Sequence, residues 1–140
     1  MAGYSGTPLL KKLGIKPGFT VYVHQPPSDY FAWLDPLPED IGIREKLAKN
    51  LDFIHLFLKN ENVMRALLQK SKVHLKNDGM IWVSWPKKTS GVKTDLNENI
   101  IRDFALSIGL VDIKVCAVDE VWSGLKLVIP LKDRKDKIVP

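Results

Sequence analysis

The sequence predicts an α/β fold with a three-layer, Rossmann-like architecture. Through the first 108 residues, short apolar runs of strand length alternate with segments whose apolar residues recur at helical spacing. After that point the pattern changes, because VDIKVCAV and LKLVIPL both alternate and are joined by a short turn that contains glycine. A mostly parallel open sheet, covered by helices and ending in an antiparallel hairpin, accounts for both observations.

The chain opens with a predicted helix and then the first strand. Thr7 supplies a capping hydroxyl, and Pro8 fits the first helical position because the N–H group that it lacks has no partner there. Gly14 ends this helix. FTVYVH, residues 19–24, is rich in aromatic and β-branched residues and predicts a buried strand.

The next segment joins the first predicted strand to the strand predicted at DFIHLFLKN. SDYFAWL follows Gln25-Pro26-Pro27 and predicts a helix of about two turns, capped by Ser28 or Asp29. Residues 39–50 remain open between two interpretations, a short edge strand at IGIR and a helical turn or two in REKLAKNL.

Two further strand-and-helix pairs follow. DFIHLFLKN predicts a strand, and a helix follows it with Asn60 or Asn62 as its cap and Gly79 at its end. MIWVSW predicts the next strand, and a helix over residues 95–108 begins with a D-x-x-E box at Asp95 and Glu98.

The predicted sheet brings three loops to one edge. Ligands of open parallel sheets bind beyond the carboxyl ends of the strands, where the loops after residues 24, 58 and 85 should meet. Ammonium groups, hydroxyls, a glycine and helix amides in these loops favour an anion site. Its predicted ligand-binding residues are Lys59, Lys87, Lys88, Ser90, Gly91 and Thr94.

Catalytic residues are less clearly marked. His24 at the end of the first strand and Asp119 in the hairpin turn are the candidates for proton transfer. We predict no metal site, because no histidine has Cys, Asp or Glu at ligand spacing. We also predict no cofactor, because Gln25-Pro26-Pro27 stands where dinucleotide and adenosylmethionine sites have glycines, and proline removes the amide.

Composition limits the remaining choices. The 140 residues suit one α/β domain over residues 1–131, followed by a charged tail at 132–140. No apolar run reaches the roughly 20 residues of a membrane helix, no export signal is visible, and Cys116 is the only cysteine. A cytoplasmic location fits these observations. The net charge of +5 favours anionic partners, although the basic residues are scattered.

Four stretches carry a resemblance to a known family. They are residues 3–18 (GYSGTPLLKKLGIKPG), 52–59 (DFIHLFLK), 78–103 (DGMIWVSWPKKTSGVKTDLNENIIRD) and 109–129 (GLVDIKVCAVDEVWSGLKLVI). Together they resemble a small bacterial family that is classed as domain of unknown function 3052, which implies no particular activity. LGIKPG before a strand, LKNDGMIWVSWP before a helix and the terminal hairpin also look like a class I methyltransferase with a shortened middle. The departure from that pattern is at residues 25–27.

These observations predict a non-enzymatic binding or regulatory module whose basic site holds a small anionic ligand or an acidic protein segment. The alternative is a divergent methyltransferase-like enzyme. A third and last-ranked hypothesis is a single-stranded nucleic-acid binder that uses Trp85, Trp122 and nearby lysines. The sequence does not indicate an oligomeric state, and it predicts no membrane contact.

Overall fold

A six-stranded sheet forms the centre of the computed structural model, which describes residues 8–134. The strands are β1 (Thr20–His24), β2 (Gly42–Arg44), β3 (Leu51–Phe57), β4 (Leu75–Pro86), β5 (Val111–Ala117) and β6 (Trp122–Val128). The helices are α1 (Leu9–Leu13), α2 (Tyr30–Trp33), α3 (Glu61–His74) and α4 (Glu98–Ser107), and short 3-10 turns span Lys88–Ser90 and Leu131–Asp133.

The strand order is β2-β1-β3-β4-β6-β5. Strands β2, β1, β3 and β4 run parallel to one another, whereas β6 lies antiparallel to both β4 and β5. The predicted fold class, a mostly parallel open sheet that ends in an antiparallel hairpin, is therefore confirmed. The position of β3 between β1 and β4 also agrees with the prediction.

Each face of the sheet has its own hydrophobic core. Helices α3 and α4 cover one face, where Leu68 and Ile101 are fully buried against Ile54 of β3. Helices α1 and α2 cover the other face, which contains Tyr30 and Trp82. The Trp82 indole Nε1 donates to the Leu13 carbonyl at 2.9 Å, so a buried hydrogen bond fixes the end of α1 on the sheet. The three layers follow from this division.

The ends of the long helices differ from the prediction. Helix α3 ends at His74 rather than Gly79, because Leu75 pairs with Leu51 and residues 75–79 already belong to β4. At Gly79 a Cβ atom would lie 2.7 Å from Leu75 Cδ1 and 3.0 Å from the Leu51 carbonyl oxygen, so glycine permits this close approach of strands.

The structure also decides the secondary structure of residues 39–50 and gives the bounds of the two amino-terminal helices. Residues 39–50 contain the edge strand β2 and no helix, and α2 is a single turn without a side-chain cap. Helix α1 begins at Leu9, directly after Pro8, and Gly14 ends it in the left-handed region at φ 84°. The cap predicted at Thr7 lies outside the described residues.

The carboxyl-terminal part of the chain turns back after β6. Arg134 Nε donates to the Ile129 carbonyl at 2.8 Å, next to the 3-10 turn. The rest of the predicted tail, residues 135–140, lies outside the described part. Among the helices of residues 8–134, none is long and apolar enough to cross a membrane.

Candidate functional site

The carboxyl ends of β1, β3 and β4 meet at one edge of the sheet. The loop after β3 is bound to the loop after β4, because the Lys59 carbonyl accepts from Thr94 Oγ1 at 2.7 Å and from the Asp95 amide at 3.2 Å. The amide of Lys87 donates to the Val121 carbonyl at 2.7 Å, which ties the same loop to the hairpin. Hydrogen bonds to backbone carbonyls therefore join these loops at the edge.

A cleft of about 450 Å³ opens at this edge between β1 and β3. The chain leaves β1 toward β2 on one side, while β3 lies on the other side, so the cleft is at the point where strand order reverses. We name it the switch-point cleft. It is lined by His24, Gln25, Pro27, Phe57, Leu58, Lys59, Asn60, Val63 and Trp122.

Only one of the six predicted ligand-binding residues, Lys59, lines this cleft. The other five lie in the loop that connects β4 to α4. Ser90 Oγ donates to the Lys87 carbonyl at 2.6 Å and accepts from the Val92 amide at 3.1 Å. Thr94 Oγ1, besides its bond to Lys59, accepts from the Leu96 amide at 3.1 Å.

Both hydroxyls therefore close turns of the β4–α4 loop. Gly91 completes the 3-10 turn with φ 78°, a left-handed conformation that favours glycine, and no atom lies within 4 Å of a Cβ built there. Lys88 is exposed and Lys87 is half-buried. The ligand-binding role of this loop stays a prediction.

The predicted D-x-x-E box at the start of α4 is wrong. The cap is Asn97, whose Oδ1 accepts from the Ile100 amide at 2.9 Å. Asp95 instead accepts from the Glu61 amide at 2.7 Å, in the first turn of the neighbouring helix α3, while Glu98 pairs with Arg102. The cap of α3 itself is Asn60, one of the two predicted residues, whose Oδ1 accepts from the Val63 amide at 3.0 Å.

The two candidate catalytic residues have different surroundings. His24 is half-buried, lines the switch-point cleft, and has its Nδ1 3.2 Å from the Tyr22 hydroxyl. Burial lowers the pKa of His24, so its imidazole is neutral at pH 7. Asp119 Oδ1 accepts from the amides of Val121 at 2.9 Å and Trp122 at 2.7 Å. Asp119 thus closes the hairpin turn and is not part of the cleft lining.

Behind the cleft wall lies a buried polar group that sequence reasoning missed. His55 Nδ1 is 2.9 Å from the Tyr30 hydroxyl, and His55 Nε2 is 2.8 Å from Ser84 Oγ. All three side chains are fully buried. Phe57 stacks on His55 with ring centroids 4.2 Å apart and meets Trp122 edge-on at 5.1 Å, so an unbroken series of rings joins this group to the cleft.

His55 has a structural role in this setting. Burial lowers its pKa to about 3 and raises the pKa of Tyr30, so the pair is neutral at pH 7. One ring nitrogen donates and the other accepts, which satisfies both. The signal was present in the sequence, because His55 and Ser84 are the polar residues that interrupt the apolar runs of two adjacent strands.

No three His, Cys, Asp or Glu side chains of residues 8–134 are grouped so that they could hold a metal ion. A comparison with family models finds no match, and a comparison with curated proteins finds none either. Membership of the family of unknown function therefore stays a prediction.

Solved structures resemble this chain over most of its length. A complex of DhpI with SAH has a TM-score of 0.63 at 9% identity, and the match covers 89% of this chain and 83% of the DhpI chain. Magnesium protoporphyrin IX methyltransferase (ChlM) from Synechocystis PCC 6803 with bound SAM has a TM-score of 0.59 at 8% identity, and the match covers 87% of this chain and 74% of the ChlM chain. A SAM-dependent methyltransferase from Aquifex aeolicus has a TM-score of 0.55 at 14% identity, and the match covers 87% of this chain and 88% of the Aquifex chain.

These likenesses establish the fold. The chain has the Rossmann-like fold of class I methyltransferases, as the looser of the two resemblances implied. The prediction of a non-enzymatic binding or regulatory module is wrong, because the similar structures are methyltransferases and favour the alternative, a divergent methyltransferase-like enzyme.

Proposed function

We propose that this chain is a divergent methyltransferase-like enzyme of the cytoplasm that binds S-adenosylmethionine in the switch-point cleft. One observation carries the proposal. A cleft of about 450 Å³ at the carboxyl edge lies at the strand-order reversal of a sheet with the methyltransferase fold. Open α/β sheets bind their ligands at that position, and the volume is within the range of small-molecule sites.

The side chains of the cleft fit such a ligand. Lys59 supplies an ammonium group for the carboxylate of the methionine part, Gln25 supplies an amide group, and Asn60 supplies its Nδ2, because its Oδ1 accepts from the Val63 amide. Phe57 and Trp122 form an apolar aromatic wall suited to a nucleoside ring. When bound, adenosylmethionine supplies an electrophilic methyl group on a sulfonium centre.

The loop after β1 indicates that these side chains replace backbone donors. Gln25 is left-handed, with φ 51°, and Pro26 and Pro27 have no N–H groups. A loop of the glycine-rich type would offer several backbone amides to the ligand. Here the polar contacts would come instead from the side chains of Lys59, Gln25 and Asn60. We expect affinity to depend on Lys59 for this reason.

His24 is the residue that would handle the proton in this proposal. It lines the cleft, and its neutral imidazole at pH 7 is able to accept a proton from the nucleophile that takes the methyl group. The adjacent Tyr22 hydroxyl, 3.2 Å away, holds the ring in place.

Calorimetric titration with S-adenosylmethionine and S-adenosylhomocysteine tests the proposal. We expect saturable binding of both, and roughly tenfold weaker binding by Lys59→Ala, equivalent to about 1.4 kcal/mol. Lys11→Ala is the matched control, since exposed Lys11 lies on α1 and outside the cleft lining. It should bind as the unaltered protein does.

Absence of any saturable heat at ligand concentrations of about 1 mM would refute the proposal. Equal weakening by Lys59→Ala and Lys11→Ala would show a general charge effect and refute the role of Lys59. A Lys87→Ala/Lys88→Ala variant in the same titrations examines the predicted anion site of the β4–α4 loop separately.

A further inference from the structure

A second cleft, of about 430 Å³, lies beside the switch-point cleft and shares His24 with it. We name it the α3 cleft, because one wall is the middle and end of α3, while β1 and the segment after β2 form the others. Leu47 and Leu67 supply its apolar part. Its polar lining residues are Tyr22, His24, Glu45, Lys46, Lys70 and His74.

The cationic groups of the α3 cleft are not neutralised within the described chain. Among residues 8–134, neither Lys46 nor Lys70 forms an ion pair, although the structure contains four such contacts elsewhere. Glu45 is the one acid in the lining and is exposed. The balance of the lysines and Glu45 is therefore one positive charge, before any imidazole is protonated.

Two histidines, His24 and His74, also line the α3 cleft. The Lys70 carbonyl lies 2.8 Å from His74 Nδ1 and only accepts, so Nδ1 carries the proton and Nε2 is left for another partner. His24 extends from β1 between the two clefts. Lysine ammonium groups together with imidazole rings on the walls of a half-apolar cleft are suited to binding a small oxyanion.

We propose that the α3 cleft is a subsite for a small molecule bearing a carboxylate or phosphate group, held by Lys46 and Lys70 together with His74. Its assignment as the acceptor-substrate subsite rests on the proposed function, because His24 would then stand between cofactor and acceptor. Anion binding itself does not depend on that function.

Imidazole NMR provides a direct test, since the sequence has three histidines and one of them is an internal reference. Inorganic phosphate and acetate are titrated separately at constant ionic strength while the ring signals are followed. We expect saturable shifts of the His24 and His74 ring signals, with the His55 signals unmoved because that side chain is fully buried. The anion that binds with the higher affinity shows whether the subsite prefers phosphate or carboxylate.

The matched variants are Lys46→Ala/Lys70→Ala and Lys11→Ala/Lys132→Ala, which remove the same charge inside and outside the cleft. We expect the first to weaken anion binding roughly tenfold and the second to leave it unchanged. Equal losses in both, or no saturable shift with either anion, would overturn the proposal.

These measurements distinguish failure of the subsite proposal from failure of the proposed function. Anion binding without adenosylmethionine binding would refute the cofactor and keep the subsite, whereas cofactor binding without any anion effect would refute the subsite alone.

Discussion

The two histidines of the parallel strands show how differently this fold uses the same side chain. His55 lies in the middle of the sheet face under α2, where Tyr30 and Ser84 satisfy both of its ring nitrogens. His24 lies at the end of β1, where one nitrogen is near Tyr22 and the ring borders two clefts. The interior histidine is paired with other buried side chains, whereas the ring of the edge histidine borders open clefts.

That difference has an energetic reason. A polar group buried without a partner costs about 1–3 kcal/mol, so an interior histidine persists only with its hydrogen bonds made. At the edge, water replaces missing partners, so the exposed Lys46, Lys59 and Lys70 are tolerated without ion pairs to any of residues 8–134. Polar residues in the core therefore report on stability, and those at the edge report on binding.

Removal of the interior histidine is expected to have the largest effect. His55→Ala leaves a cavity and strands two buried hydroxyls, which should lower the free energy of unfolding by about 3–5 kcal/mol. Urea unfolding followed by tryptophan fluorescence measures it. His74→Ala, a partly exposed control, should cost less than about 1 kcal/mol. Similar losses in the two variants would contradict the structural role given to the buried group.

The pH dependence of stability sharpens the same comparison. The pKa of His55 is about 3 in the folded state, whereas the unfolded value is about 6.5, so the unfolded chain binds the extra proton. The contribution of His55 to stability is complete above about pH 6.5 and is lost as the pH falls toward 3. Between pH 6.5 and 5 the loss should be about 2 kcal/mol.

Carboxylates also titrate as the pH falls, so the measurement needs a reference. His55→Gln lacks the imidazole and should have a correspondingly shallower decline in stability over pH 6.5 to 5, measured by urea unfolding at each pH. A decline equal to that of the unaltered protein would show that His55 does not carry the effect.

The sheet was predictable because its signals are local. Apolar runs of strand length, the helices between them and the alternation of the last two strands each lie within a dozen residues, and together they define the order of the elements. Rules for crossover connections then place β3 between β1 and β4. The same rules predicted a site at the edge where the switch-point cleft lies, and Lys59 and His24 line that cleft.

Other features depend on contacts that no local pattern contains. The sequence pattern predicted Asp95 as the cap of α4, whereas Asn97 caps it and Asp95 contacts the Glu61 amide of α3, a residue 34 positions away. The partnership of His55 with Tyr30 joins residues 25 positions apart. The resemblance to a class I methyltransferase predicted the fold that the solved structures share at 8–14% identity, whereas the proline loop after β1 argued against a cofactor.

Asp119 provides the smallest test and separates a structural carboxylate from a catalytic one. Asp119→Ala removes the acceptor for the amides of Val121 and Trp122 and should lower the free energy of unfolding by about 1–2 kcal/mol. Asp119→Asn keeps an oxygen acceptor at the same position and should recover most of that loss in the same urea unfolding measurement.

The asparagine variant also decides the role predicted for Asp119 in proton transfer. An amide cannot accept the proton that a carboxylate accepts, so a catalytic Asp119 would leave Asp119→Asn stable and without methyl transfer. A stable variant that retains activity would restrict Asp119 to the hairpin turn. Because Trp122, which follows that turn, forms one wall of the switch-point cleft, Asp119→Ala should weaken adenosylmethionine binding even though Asp119 does not line the cleft.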